Sequence, residues 1–182
     1  MKRTFRVVLV LCLLVTCTLA LAPAAGALPH RNLALAADET AAPTPVPVSG
    51  VWSWHGGEGA ATEPAGDYVY IYGYELGDWT GAFQGASYEP YTGWIRSSDG
   101  YVWAIITIRF KGTCNGVPGK ATMQLTVEEP QSGPNAGKIF GQWAVISGKG
   151  ALKSLRGAGT WEWTHDEGDH GFADYEGMVW MQ

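Results

Sequence analysis

The densest set of side chains able to hold a metal is His165-Asp166-Glu167-Gly168-Asp169-His170. Imidazoles with carboxylates suit zinc or manganese, and carboxylates alone suit calcium. The spacing matches no defined metal motif, and the segment lies between Trp163 and Phe172, where a hairpin loop would carry charge. No metal and no cofactor is therefore expected. Glu75, Asp78 and Glu89 form a second group, near strand ends. Two carboxylates held about 5–9 Å apart around a substrate do acid–base chemistry. Sequence spacing does not place them so, and acidic loop residues on an acidic chain are the plainer expectation. Ser147 precedes Gly148, but no Gly-x-Ser-x-Gly elbow is present. Gly148-Lys149-Gly150 lacks the continuation and the helix that a phosphate loop needs. Cys114 sits among Gly112, Thr113, Asn115 and Gly116, a turn composition with no His nearby, and is expected to be an unreactive thiol. No catalytic residue is assigned.

The aromatic residues offer a different chemistry. Nine Trp and eight Tyr are unusual for 182 residues. Alternation places Tyr68, Tyr70, Tyr72 and Tyr74 in one stripe, and it pairs Trp52 with Trp54 and Trp161 with Trp163. Such rings either pack a core or present a half-wet face to sugars or apolar ligands. Tyr70 and Tyr72 are the candidates for the second role, because Val69, Ile71 and Gly73 on the opposite side already supply an apolar face.

The elements that must position these residues are strands. Helical periodicity is nowhere sustained, and 25 glycines fall largely between apolar runs. Strands are predicted at Val51–His55, Tyr68–Glu75, Trp79–Tyr88, Gly93–Ser97, Tyr101–Lys111, Lys120–Glu129, Lys138–Ile146, Gly157–Thr164 and Phe172–Met181. Within Lys120–Glu129, Ala121, Met123, Leu125 and Val127 share one face and Thr122, Gln124, Thr126 and Glu128 the other. Within Tyr101–Lys111 the apolar face is Val102, Ala104, Ile106, Ile108 and Phe110. Consecutive antiparallel strands with short turns predict an all-β fold, a closed antiparallel barrel of about eight strands. A barrel of that size is filled by side chains or holds one small ligand, as lipocalins do. Ile106, Ile108, Met123 and Leu125 would line such a ligand site. An enzyme would need an inward polar group. Arg109, Glu128 and Glu162 are the nearest strand candidates, although each falls on the predicted wet face.

The N-terminus reads as a secretory signal. Lys2, Arg3 and Arg6 precede an apolar run from Val7 to Ala22, and small residues follow Pro23. The expected organisation is a signal peptide over 1–27, with cleavage as late as 37 also compatible with Ala34-Leu35-Ala36. A Pro/Ala/Thr-rich linker then covers 38–49, and the barrel covers 50–182. The mature protein is expected outside the cytoplasm, secreted or in the cell envelope, with no stable membrane insertion. Removing the leader and Arg31 reduces the 12 basic residues to eight against 17 acidic ones. That balance argues against nucleic acid as a partner. A small apolar molecule or a glycan fits better. The oligomeric state is left open.

Three segments carry a family resemblance: Gly77-Asp78-Trp79-Thr80-Gly81-Ala82-Phe83-Gln84-Gly85, the stretch from Arg109 to Gly119, and Gly148-Lys149-Gly150-Ala151-Leu152-Lys153-Ser154-Leu155-Arg156-Gly157-Ala158-Gly159-Thr160. The last contains Gly-x-Gly-x-Leu-x-x-Leu-x-Gly-x-Gly and follows Trp143-Ala144-Val145. Together they resemble an uncharacterised bacterial family of small barrels, grouped by fold with plant allene oxide cyclases and dirigent proteins. The resemblance runs from Trp79 to the C-terminus. Ala151 and Lys153 depart from the usual pattern. It implies an allene oxide cyclase-like barrel and brings no catalytic residue with it. Cyclase or isomerase activity would follow by fold analogy alone.

Overall fold

Alternating apolar residues, each strand returning on the one before, produce a sheet that meets its own edge. The computed structural model describes residues 43–57 and 61–182. The expected signal peptide over 1–27 and the first part of the expected linker lie outside the described residues. Nine strands follow in chain order: β1 (Val46–His55), β2 (Ala61–Ala65), β3 (Tyr68–Gly81), β4 (Phe83–Arg96), β5 (Val102–Cys114), β6 (Val117–Glu129), β7 (Phe140–Gly150), β8 (Leu155–Glu167) and β9 (His170–Met181). They pair in the order β1-β9-β8-β7-β6-β5-β4-β3-β2, and β1 also pairs with β3. That last pairing closes an eight-stranded antiparallel barrel, and β2 extends β3 beyond the seam.

The faces follow the alternation read from sequence. Val102, Ala104, Ile106, Ile108 and Phe110 of β5 are buried, as are Ala121, Met123, Leu125 and Val127 of β6. The barrel interior is crowded with rings. Trp52 stacks on Trp79 at 5.6 Å and meets Trp161 edge-on at 5.3 Å, and Phe83 meets Phe110 at 5.6 Å and Trp143 at 5.9 Å. Each buried indole N–H finds an acceptor, as a buried Trp requires. Trp143 donates to the Glu176 carbonyl and Trp161 to the Thr126 carbonyl, both at 3.0 Å.

The first half of the barrel differs from the sequence reading in three places. The predicted strand Trp79–Tyr88 spans a hairpin turn, which lies at Gly81–Ala82 rather than at Gly77–Asp78. Gly81 takes φ +91° and packs against the Ser49 carbonyl, a position closed to a Cβ. Glu89, expected near a strand end, lies inside β4 together with Pro90. The β4–β5 ladder runs to Tyr88 opposite Arg109 and resumes at Tyr91 opposite Ile106, so the missing proline N–H falls in a gap in the pairing. Finally, β2 was not predicted. All five of its residues are exposed, so it carries no apolar pattern, and its Pro64 suits an edge.

The barrel also begins earlier than Gly50. Val46–Ser49 already pair with β9, and Val48 is buried in the core.

Candidate functional site

The β3–β4 pair brings two carboxylates face to face. Glu75 is the Cα partner of Glu89. Alternation puts both on the inner face with Gly77, Trp79, Ser87 and Tyr91. The closing seam ends at His55 opposite Leu76, so this rung sits just past it, toward the end where β3 turns to β2.

Glu89 is fully buried. Its Oε1 accepts hydrogen bonds from Trp52 Nε1 at 3.0 Å and from Ser87 Oγ at 2.5 Å. Ser87 Oγ in turn accepts from Trp79 Nε1 at 2.8 Å. Gly77 makes room for this chain of bonds: a Cβ there would stand 2.0 Å from Glu89 Oε1 and 2.6 Å from Ser87 Oγ. Among the described residues, Glu89 Oε2 has no hydrogen-bond partner.

Burial disfavours the carboxylate and pushes the Glu89 pKa up to about 8; the facing Glu75 adds to this, and the Ser87, Trp52 and Trp79 donors oppose it. Glu89 is therefore mostly a neutral acid at pH 7. The serine hydroxyl already spends its proton on Oε1 in the shorter of its two contacts, the other being the Gly77 carbonyl at 3.4 Å. The carboxyl proton then belongs on Oε2, as an unused donor. Tyr91 is half-buried, and burial together with Glu75 raises its pKa to about 12. Trp54 and Trp163, also half-buried, pack beside the core cluster.

The structure separates the six residues expected to bind a ligand. Ile106, Ile108, Met123 and Leu125 lie in the buried core cluster. Ile106 is the partner of Tyr91, and the same register across the ladder gap sets Ile108 opposite Glu89, so these two border the acidic rung. Tyr70 and Tyr72 lie on the outer wall. There Tyr70, Trp94 and Trp103 occupy directly opposed positions on three strands. Tyr70 lies 4.6 Å from Trp94 and 5.5 Å from Tyr72, and Trp94 lies 6.5 Å from Trp103. Tyr72 also donates to Glu63 Oε1 at 3.1 Å.

The other groups disperse. Among the described residues, the side chains of His165–His170 do not gather three at a time as metal ligands. His165 and His170 both stack on Phe172, His170 also stacks on His55 and meets Asp169 Oδ1 at 3.5 Å, and Asp166 accepts from Trp163 Nε1. Asp78 faces outward and meets His55 Nε2 at 3.1 Å. Of the polar candidates on the strands, Arg109 is exposed, Glu128 half-exposed, and Glu162 pairs with Lys138 at 3.7 Å on the surface. Cys114 is not a turn residue as expected: it ends β5 with its side chain buried in the core, and desolvation raises its thiol to about 11. The expectation that Glu89 is an acidic loop residue is corrected: it is the buried acid of the barrel. Its Pro90 neighbour hid it, because proline reads as a strand end.

No family model matches the chain, and no curated protein matches it. Three solved chains do. One is a protein of unknown function from the DUF3224 family of Shewanella oneidensis, at 15% sequence identity and a TM-score of 0.54. The match covers 74% of this chain and 96% of that one. The two share the barrel fold.

Proposed function

We propose that the barrel binds a small, largely apolar or aromatic molecule near the Glu75–Glu89 rung, and that Glu89 donates a hydrogen bond to an acceptor atom on it. One observation carries this reading: a fully buried carboxyl, neutral at pH 7, whose Oε2 has no partner among the described residues. An unused buried donor costs about 1–3 kcal/mol, so a ligand carbonyl, ether or hydroxyl would be held strongly there. Tyr91, Trp54 and Trp163 supply half-buried rings for the apolar part. Of the expected lining Ile106, Ile108, Met123 and Leu125, this reading keeps Ile106 and Ile108, which border the rung, and leaves Met123 and Leu125 as packed core. The same neutral acid facing a second carboxylate would suit proton transfer, which is how a cyclase- or isomerase-type activity of the allene oxide cyclase kind would be served.

A second reading places a glycan on the outer wall. It is favoured by the opposed rings of Tyr70, Trp94 and Trp103, with Tyr68 and Tyr72 exposed beside them. The signal-like leader makes an exported setting the natural one for either role. Native mass spectrometry of the protein purified from an exporting host, against its denatured mass, tests the first reading. An added mass that is lost on denaturation and reduced by Glu89→Gln is expected. No added mass, together with glycan binding abolished by Tyr70→Ala and Tyr72→Ala, would replace it with the second.

A further inference from the structure

A groove of about 390 Å³ opens on the outer wall where β5, β6 and β7 run side by side. Its polar lining is two rungs of the sheet. Lys111 faces Lys120, which faces Lys149; two residues along, Arg109 faces Thr122, which faces Ser147. All four cations are exposed. Among the described residues none of them forms an ion pair with a carboxylate, and Arg109 lies 5.6 Å over the Tyr88 ring. The neighbouring outward positions of β4 are Gln84, Ala86 and Tyr88, none of them acidic. Half of the eight cationic side chains after residue 42 therefore stand in one concavity of an acidic protein.

Like charges directly opposite one another destabilise a sheet. Here three lysines share one rung, on strands about 4.8 Å apart. An arrangement that opposes folding and gathers cations, a guanidinium and two hydroxyls is what an oxyanion site needs. We propose that this groove binds a phosphate-rich anion, with at least two phosphate groups spread along the lysine rung. The ligand is a free oligophosphate or a phosphodiester polymer carrying the same groups. Of the rings at the groove, Phe110 is buried in the core and Tyr88 stands only at the edge, which leaves nucleobases no open stacking platform among the lining residues. This site is on the opposite side of the strand wall from Glu89 and does not depend on the reading above.

Titration of the full chain with sodium tripolyphosphate, followed by calorimetry and by thermal melting, tests it. Binding should weaken steeply with added salt and should raise the melting temperature. Lys120→Gln should weaken binding at least ~10-fold, yet raise the melting temperature without anion, since it relieves the like-charged rung. Lys111→Gln and Lys149→Gln should act the same way, less strongly. Tighter binding of tripolyphosphate than of a glycerol-phosphate oligomer at equal phosphate marks a free oligophosphate, and the reverse marks a polymer; both support the site. No binding, binding insensitive to Lys120→Gln, or a preference for single-stranded DNA over both probes would overturn it.

Discussion

Glu89 enters the folded barrel with its proton, and this sets how stability responds to pH. Its carboxyl is raised to about 8, whereas an unfolded glutamate titrates near 4.5. Between those values the folded chain holds a proton that the unfolded chain has released. Stability is therefore full below about pH 4.5, falls as pH rises toward 8, and levels beyond it. The loss is on the order of a few kcal/mol across that window. Glu89→Gln keeps an oxygen for Ser87 and Trp52 and removes the titration. Urea unfolding at pH 5, 6.5 and 8 should show the wild-type slope and a flatter variant. Equal slopes in the two proteins would mean that Glu89 does not titrate in this range. The residue types here were legible in sequence, but the facing of Glu75 and Glu89 was not. It depends on where the β3–β4 turn lies, and a shift of that turn changes every cross-strand partner.

Turn placement is an element-scale matter, and one tyrosine anchors it. Tyr175 on β9 donates its hydroxyl to the Thr80 carbonyl at 3.0 Å and accepts from the Phe83 N–H at 2.9 Å, clasping both sides of the β3–β4 turn. The contacts span more than ninety residues of sequence, so no local pattern announces them. Tyr175→Phe leaves both backbone groups short of a buried partner. A loss of about 1–3 kcal/mol in chemical denaturation is expected, with the barrel retained. A loss under a few tenths would mean that the clasp is incidental. Elements with regular alternation, β5 and β6, have their faces legible in sequence, although each runs three residues further toward their shared turn than the pattern indicates. Their turn is tighter than the composition suggests: only Asn115 and Gly116 lie between the strands, both at positive φ, as a two-residue hairpin requires. By contrast, β3 and β4 were cut at Gly77 and Pro90. Both residues are strand-breaking by type, and both are tolerated for tertiary reasons: space for a carboxylate, and a gap in the ladder.

At the scale of the whole molecule the barrel depends on β1, which pairs with β9 on one side and with β3 on the other. Its first residues fall in a Pro/Ala/Thr-rich stretch that composition reads as linker. Val48 nevertheless contributes a core side chain. A chain starting at Gly50 should lose at least about 2 kcal/mol relative to one starting at Pro43, from Val48 burial and the lost β1–β9 pairs. Equal denaturation midpoints would show that the stretch is dispensable. The groove on the outer wall makes a related point about charge. Net charge is a property of the chain, whereas Lys111, Lys120 and Lys149 are neighbours only in the sheet.

By itself the sequence determined the all-β class, the antiparallel barrel of about eight strands, and the inner and outer faces of its regular strands. These follow from period-two alternation and turn chemistry, which act over a few residues. Only the tertiary structure decided which strand closes on which, that Glu89 lies buried opposite Glu75, and that three lysines share one rung. Those facts depend on register between strands, and register is set by packing across the whole barrel.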